Sequence, residues 1–377
     1  NGTISAQGLL DFDAEVRDLD MKRFEHKLPY EVSGHGVFNG KVGGTISRPI
    51  FRGQLKADTI TMNGVELREI RSFAHYENGI IDLEDTGFRQ GTEGAVSARL
   101  RYDMETRALG GALDIEKMDV TALLALANQT EQRLTGTITS EVQLGGTLDN
   151  PSIALVGTIA DGTLASYPVN NVKLDAALAD RVLTIRQIAG AQGTGGFSVV
   201  GTVDFDGMTN VDIAASDIAL GLFTKFAGVE EPVAGTATLT AHIGGYTQNP
   251  EADVHLMAKD GGMRGNSFDE LLGEARLRNS IIDLQQLVVT KYIDGVRYMA
   301  SAHGTLPLRA LTAARDEKLS AYEQLDLTVV LDNADLSLLP VFSKYVEWAL
   351  GHTEGTLKLH GTLAAPRLDG SVRVTDG

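Results

Sequence analysis

Apolar and polar residues alternate along most of the chain. Leu55 and Ala57 stand two apart in one segment, and Ile153 and Leu155 do so in a later one. A period of two is typical of a β-strand that buries one face and exposes the other. The pattern therefore predicts a protein that is mainly β.

Short polar pairs separate several of these strands. Asn78-Gly79, Asp180-Arg181 and Asn279-Ser280 each precede an apolar run. Asn-Gly is a strong signal for a tight hairpin turn, because both residues accept a positive φ. These pairs predict antiparallel hairpins.

One phrase, in which a glycine precedes a proline by five positions, occurs four times. Its prolines recur at intervals of 102, 99 and 116 residues, which indicates an internal repeat. We interpret these residues as structural markers of the repeat junctions: Gly44, Pro49, Gly146, Pro151, Gly245, Pro250, Gly361 and Pro366.

The spacing predicts a single elongated repeat array over residues 1–377. The expected segments are the end of a truncated repeat at 1–43, repeats at 44–145, 146–244 and 245–360, and the start of another repeat at 361–377. The third repeat carries an insertion near 308–323, rich in helix formers. Because the chain begins and ends inside a period, we expect it to be a fragment of a longer repetitive protein.

Each period closes with a segment whose apolar spacing lengthens to three or four, which predicts one short helix per repeat of about 100 residues. Asp20, Asp119, Asp217 and Asp335 align at the start of these segments, and aspartate is a favoured N-cap. The last segment contains Trp348 in the richest aromatic cluster of the chain, which we interpret as core packing.

Composition narrows the functional classes. A net charge of -17 argues against nucleic acid as a partner, since phosphate binding needs clustered Lys and Arg. The absence of cysteine excludes a disulfide framework and any cysteine-based metal site.

The sequence gives only weak signals for metal, phosphate or catalytic sites. No histidine has another three or four positions away, so no metal site is predicted. The glycine-rich loop at 190–196 lacks the Lys-Ser/Thr ending of a phosphate cradle. Asp11/Asp13 and Asp204/Asp206 fall at equivalent places in two periods, whereas a catalytic site would occur once. We predict a protein that is not an enzyme and needs no cofactor.

A sheet of such strands must cover its apolar face, and one short helix per repeat is too small to do so. The pattern favours an elongated, curved sheet with an apolar groove that acts as an interaction surface. The alternation does not settle which side chains face the groove. We expect these residues to line it: Leu55, Ile153, Leu155, Ile159, Leu239, Val254, Leu256, Leu327 and Val329.

The Gly-Thr-Pro phrase, the Asp-capped helix and the roughly hundred-residue period resemble the TamB family and the wider AsmA-like group of bacterial envelope proteins. The segments that carry the resemblance are 146–157, 245–256 and 361–372. It implies a U-shaped, taco-like β-sheet with an apolar interior. It also implies a periplasmic protein, anchored in the inner membrane of a diderm bacterium, that works with an Omp85-type outer-membrane barrel through a part of the parent chain outside this fragment.

Three functional hypotheses follow. In the first, the groove carries phospholipid acyl chains between the inner and outer membranes. In the second, the protein is a scaffold or chaperone that assists outer-membrane protein assembly by strand addition. In the third, the chain is a stalk of closed sandwiches with a dry core and no continuous groove.

Overall fold

The computed structural model describes residues 2–23, 30–129, 133–226, 232–263, 266–312, 323–335 and 352–375. These residues are mainly β, which confirms the predicted class. The chain divides into two compact units, Asn1–Ile188 and Ala189–Gly377. Each unit is described below by itself.

Unit 1 is an antiparallel sheet in which successive long strands pair with each other. The short strand β11 comes between β10 and β12 in the chain. β12 pairs with both of them. The elements are β1 (Gly2–Ile4), β2 (Leu10–Asp20), β3 (Val32–Thr45), β4 (Arg48–Met62), β5 (Val65–Glu77), β6 (Ile80–Gln90), β7 (Gly94–Asp103), β8 (Leu109–Asp119), α1 (Val120–Leu126), β9 (Thr137–Gly146), β10 (Pro151–Ala160), β11 (Gly162–Leu164) and β12 (Tyr167–Ala179).

Unit 2 repeats this arrangement, and the division between the units falls within β13. From β14 onward each strand pairs antiparallel with the next. The elements are β13 (Val182–Gln192), β14 (Gly195–Asp204), β15 (Thr209–Ala219), α2 (Leu220–Phe226), β16 (Val233–Tyr246), β17 (Asn249–Met263), β18 (Asn266–Arg278), β19 (Ile281–Ile293), β20 (Val296–Pro307), α3 (Arg309–Thr312), β21 (Gln324–Asp335), β22 (His352–Thr362) and β23 (Ala365–Thr375).

The predicted polar turns are confirmed. Asn78-Gly79 joins β5 to β6 with φ of 50° and 81°. Asp180-Arg181 and Asn279-Ser280 also have positive φ at both residues. Two positive φ values match the right-handed twist of the strands that such a turn connects. The strand order therefore follows from turn chemistry that is visible in the sequence.

The repeated glycine and proline lie directly opposite each other in a hairpin. Gly146 pairs with Pro151, and Gly44, Gly245 and Gly361 pair with their own prolines in the same way. Gly146 has a φ of +77°, and a Cβ there would lie 2.4 Å from the carbonyl oxygen of Asn150. Only glycine fits such a position. The phrase is thus the closing pair of the hairpins β3–β4, β9–β10, β16–β17 and β22–β23.

Two of the predicted helices lie within the described residues. Asp119 caps α1, and its Oδ1 accepts a hydrogen bond from the Ala122 backbone N–H at 2.8 Å. This N-cap is confirmed. The prediction for Asp217 is wrong, because α2 begins at Leu220 and Asp217 lies in β15. Asp217 is the positive-φ residue of a β-bulge, with φ of 51°, the place that Lys117 holds in β8 before α1, so Ala219 and not Asp217 corresponds to Asp119.

The other two helix predictions are only partly within the described residues. The Asp20 Oδ1 accepts a hydrogen bond from the Lys22 N–H at 3.0 Å, and a single 3₁₀ turn follows at 21–23. The helix expected after Asp335, with Trp348, lies outside the described residues. Most of the predicted insertion does too, apart from α3 at its start.

The core of unit 2 lies between one end of its strands and α2. Ala237, Ala258, Val289 and Ala300 are at most 2% exposed and come from β16, β17, β19 and β20. Leu220 of α2 belongs to the same cluster. The buried core therefore occupies one end of the sheet rather than its whole face.

Glycines at particular points of the sheet permit the close approach of neighbouring strands. Gly111 of β8 has a φ of +150°, and a Cβ there would lie 2.2 Å from the Arg99 carbonyl oxygen. Glycine kinks and bulges of this kind are how a sheet bends. Gly110, the preceding residue, has open space around it.

Replacing Gly111 by alanine should therefore destabilise the sheet. We expect the free energy of unfolding to fall by about 1–3 kcal/mol, the usual cost of a strained backbone conformation. Gly110→Ala is the matched control and should change stability by less than about 1 kcal/mol, because its site accepts a methyl group. Urea denaturation of the two variants measures the difference. Equal destabilisation would contradict the assignment.

Candidate apolar binding face

Cross-strand register determines which side chains share a face. In an antiparallel pair, directly opposite residues project to the same side of the sheet. Leu256 of β17 lies opposite Leu239 of β16 and Gly273 of β18. Following such pairs from strand to strand traces rows of side chains that run across the sheet.

In unit 2 four neighbouring rows on one face are apolar throughout. We call this surface the apolar face and number its rows from the Gly-Pro hairpin end. Row 1 is Gly201–Val211–Ile243–Ala252–Leu277–Ile282–Leu306. Row 2 is Val199–Ile213–Ala241–Val254–Ala275–Leu284–Gly304–Leu327–Leu359–Leu368. Row 3 is Phe197–Ala215–Leu239–Leu256–Gly273–Leu287–Ala302–Val329–Leu357–Gly370, and row 4 is Ile218–Ala237–Ala258–Leu271–Val289–Ala300–Leu331–Gly355–Val372.

Unit 1 has an apolar face built in the same way. Its row 1, at the hairpin end, is rich in aromatic residues: Gly2–Phe12–Val42–Phe51–Tyr76–Ile81–Tyr102–Leu109. Its row 2 is Ala14–Gly40–Gly53–Ala74–Leu83–Leu100–Gly111–Leu144–Ile153–Leu178. A polar pair interrupts row 3, where the hydroxyls of Ser72 and Thr86 lie 2.8 Å apart.

The residues expected to line a groove all lie on these faces. In unit 2, Val254 and Leu327 belong to row 2, and Leu239, Leu256 and Val329 belong to row 3. All five are half-buried. The rows therefore bring together residues that stand far apart in the chain.

In unit 1 the expected residues divide into two groups. Ile153 belongs to row 2, Leu155 and Leu55 lie on the same face one row further, and all three are half-buried. Ile159 is only 2% exposed and pairs with Ile138 and Val172. The structure places Ile159 in the covered core rather than on the open part of the face.

Sequence reasoning missed other members of the rows. Leu357 and Leu359 alternate with Thr356 and Lys358, a signal that was available in the sequence. Leu287 follows a β-bulge in β19, so its position on the face depends on the register with β20. A local period cannot reveal that register.

Two aromatic rings stack on the apolar face of unit 1. Phe38 and Phe51 stack with ring centroids 5.6 Å apart and an interplanar angle of 8°. Both rings lie over Gly53, where a Cβ would come within 2.8 Å of each of them. The glycine therefore makes room for the stacked pair.

The opposite face is polar and strongly charged. In unit 2 one of its rows is Asp212–His242–Asp253–Arg276–Asp283–Thr305–Asp326–His360–Arg367. Charges of opposite sign stand beside each other, as in the Arg276–Asp253 ion pair at 3.3 Å. The hydrogen bond from Arg278 lowers the pKa of Asp253, so that carboxylate stays charged at neutral pH.

A depression of about 670 Å³ lies on this polar face. Asp253, His255 and Arg276 line it. Arg276 pairs with Asp253 on this face, and the Nδ1 of His255 lies 3.8 Å from a carboxylate oxygen of Glu274. Exposed pairs of this kind keep the face solvated and contribute little to stability.

Short helices pack at the strand ends opposite the Gly-Pro hairpins. In unit 1, α1 follows β8 but contacts β5, three strands away, and the Asn63 side-chain N–H donates to the Ala125 carbonyl at 3.1 Å. In unit 2, Leu220 and Phe223 of α2 pack against row 4. Hairpin turns lie at both strand ends of each unit, and α1 and α2 each pack at the end opposite the Gly-Pro hairpins.

Comparisons of the chain with protein-family models, curated proteins and solved structures give no significant match. Across the described ranges, no helix is long and apolar enough to cross a membrane. The same residues contain no group of three or more His, Asp or Glu side chains arranged to hold a metal ion. The unbroken apolar rows make the apolar face the candidate site.

The two faces can be distinguished by a polarity-sensitive fluorophore, because the chain has no native cysteine. We expect a label on Leu256→Cys to emit at shorter wavelength than a label on Met257→Cys. Leu256 is half-buried among apolar neighbours, whereas Met257 is 54% exposed on the polar face. Leu155→Cys and Val156→Cys form the corresponding pair in unit 1. Indistinguishable emission within each pair would contradict the assignment of faces.

Proposed function

We propose that the apolar face of each unit binds phospholipid acyl chains and that the chain forms part of a bridge that carries them between two membranes. The unbroken apolar rows carry this proposal. In unit 2, rows 2 and 3 cross from β14 to β23 without one charged or polar side chain.

The chemistry of the face favours an acyl chain over a peptide. A peptide placed on this face would bury backbone N–H and C=O groups, and each such group without a partner costs several kcal/mol. The sheet's own backbone groups are already paired with neighbouring strands. An acyl chain needs no partner and gains about 0.8 kcal/mol for each CH₂ group removed from water.

The proposed shape is a trough rather than a flat sheet. Most described residues of rows 2 and 3 are half-buried, while residues such as His255 and Met257 on the other face are exposed. The reach of α1 from β8 back to β5 also supports a bend in that part of unit 1. A U-shaped sheet would bring the apolar side chains together around a bound tail.

The cellular setting rests on the resemblance to the TamB family. We propose a periplasmic location, a parent protein anchored in the inner membrane, and an Omp85-type barrel as partner of a part of the parent chain outside this fragment. The net charge of -17 is compatible with a bridge whose outer surface stays in water.

Placing one arginine on the apolar face of each unit should weaken lipid binding to that face. We expect Leu256→Arg and Leu155→Arg together to reduce the phospholipid that co-purifies with the chain, measured by lipid extraction and mass spectrometry. A buried charge beside an acyl chain is costly, because the tail cannot solvate it. Met257→Arg and Val156→Arg are the matched controls, since both side chains are more than half exposed on the polar face.

Each outcome has a distinct meaning. If the unmodified chain carries no phospholipid, the acyl-chain function is wrong, and a dry sandwich core would account for the apolar rows. Strand addition uses the edge of a sheet rather than its face. If the Arg variants lose lipid but the parent protein still supports membrane-protein assembly, the two activities are separate.

A further inference from the structure

Two neighbouring hydroxyls, which we call the hydroxyl pair, interrupt the apolar face of unit 1. They belong to Ser72 of β5 and Thr86 of β6, and their oxygens lie 2.8 Å apart. Both side chains are half-buried, so a ligand on the face can reach them. Ser140, one row further, is only 4% exposed and is closed to such a ligand. The other members of row 3 are apolar from β2 to β12: Val16–Phe38–Leu55–Ser72–Thr86–Ala98–Leu113–Val142–Leu155–Ala176.

The repeat shows that the fold does not require the hydroxyl pair. The Gly-Pro phrases of β3–β4 and β16–β17 begin 201 residues apart (245 − 44). The same offset relates Ser72 to Gly273 and Thr86 to Leu287. Gly273 lies opposite Leu287 in row 3 of unit 2. The strands of unit 2 therefore pair without a hydroxyl at these positions, and unit 1 departs from an otherwise apolar pattern.

The hydroxyl pair retains hydrogen-bonding capacity toward a ligand. Two hydroxyls carry two protons, and the bond between them uses one. Among the described residues, the further acceptor that the pair meets is the Glu84 carbonyl oxygen, 3.5 Å from the Thr86 Oγ1. That distance exceeds the usual range of an O–H···O hydrogen bond, about 2.5–3.0 Å. One proton is therefore available to an acceptor that is placed on the face.

We infer that the hydroxyl pair binds the ester carbonyl of a phospholipid whose acyl chain lies on the adjoining apolar part of the face. This inference rests on the proposed function. An acyl chain alone would cover the remaining proton without giving it a partner, which is unfavourable, whereas a carbonyl oxygen accepts it. The pair would thus give the unit 1 face a preferred lipid position, which Gly273 and Leu287 do not provide in unit 2.

The surroundings favour an ester over the carboxylate of a free fatty acid. A charged group on an apolar surface needs a partner of opposite charge. Row 3 of unit 1 contains no Lys or Arg. Arg71, the neighbour of Ser72 in β5, projects to the opposite face, and its Nε lies 3.1 Å from the Asp85 carboxylate. A neutral carbonyl group therefore fits the hydroxyl pair better than a carboxylate.

The test compares a short-chain diacyl phosphatidylcholine, below its micelle concentration, with the dialkyl ether analogue, which lacks both carbonyl groups. A polarity-sensitive label on Leu113→Cys reports binding to unit 1, because Leu113 lies in row 3 two strands from Thr86. A label on Val329→Cys reports the corresponding place in unit 2. At the unit 1 label we expect the diacyl lipid to bind about two- to tenfold more tightly, the usual effect of one hydrogen bond. At the unit 2 label we expect equal affinities.

Substitutions then assign the preference to the hydroxyl pair. Ser72→Ala combined with Thr86→Val removes both hydroxyls and keeps residues that suit an apolar strand face, so the diacyl preference of unit 1 should disappear. The reverse change, Gly273→Ser combined with Leu287→Thr, should create that preference in unit 2. Gly273 accepts a side chain, because a Cβ there would lie no closer than 3.7 Å to a neighbouring atom.

The outcomes separate this inference from the proposed function. If neither lipid binds at either label, both are wrong. Equal affinities at the unit 1 label, or a diacyl preference that survives the loss of both hydroxyls, overturn only the hydroxyl-pair site. A free fatty acid that loses affinity in the Ser72→Ala/Thr86→Val variant, while the diacyl lipid does not, overturns the ester assignment. The comparison of the two lipids leaves the pair unchanged, so it decides even if circular dichroism shows that a variant does not fold.

Discussion

Direct opposition of apolar residues across neighbouring strands is the constraint on which this structure depends. Each row of the apolar face exists only because the hydrogen-bonded register places residues such as Val254, Ala241 and Ala275 opposite one another. A slip by one residue would move every side chain of a strand to the other face. The sheet would then carry charges on its apolar face and leucines in water.

Turns and bulges maintain that register. The Gly-Pro hairpins fix one end of four strand pairs, since Gly146 and its counterparts accept a φ that other residues avoid. Bulges near the opposite end, such as the one between Ala215 and Ile218, insert a residue and still return the strand to the same face. These local features make long apolar rows possible in a sequence whose apolar residues never form a long run.

The two faces of the sheet differ in the residue types that they carry. In unit 2, rows 1 to 4 of the apolar face contain no charged residue, whereas Asp253 and Arg276 pair across strands on the polar face and remain solvated. Rows 1 to 4 of unit 2 use glycine and alanine beside leucine and valine, so side-chain size varies along the rows without any polar group. The proposed binding surface runs across many strands, and no single residue defines it.

Much of the strand content and several turns could be predicted from the sequence. Alternation, the polar pairs at residues 78, 180 and 279, the repeated Gly-Pro phrase and the Asp119 cap all depend on interactions within a few residues of the chain. Most of the expected groove residues also lie on the open apolar face, because alternation alone assigns neighbours in one strand to a common side.

Only the tertiary structure decided how those strands align and which part of the face is covered. Asp217 falls in a bulge rather than at a helix start, and Ile159 lies in the core although its alternation matches that of Leu155. The insertion of a residue in a bulge depends on the partner strand, and burial depends on what packs over the strand end. The periodicity of a single segment carries no information on bulges or on burial. The rows and the buried part of the face are therefore visible only in the assembled sheet.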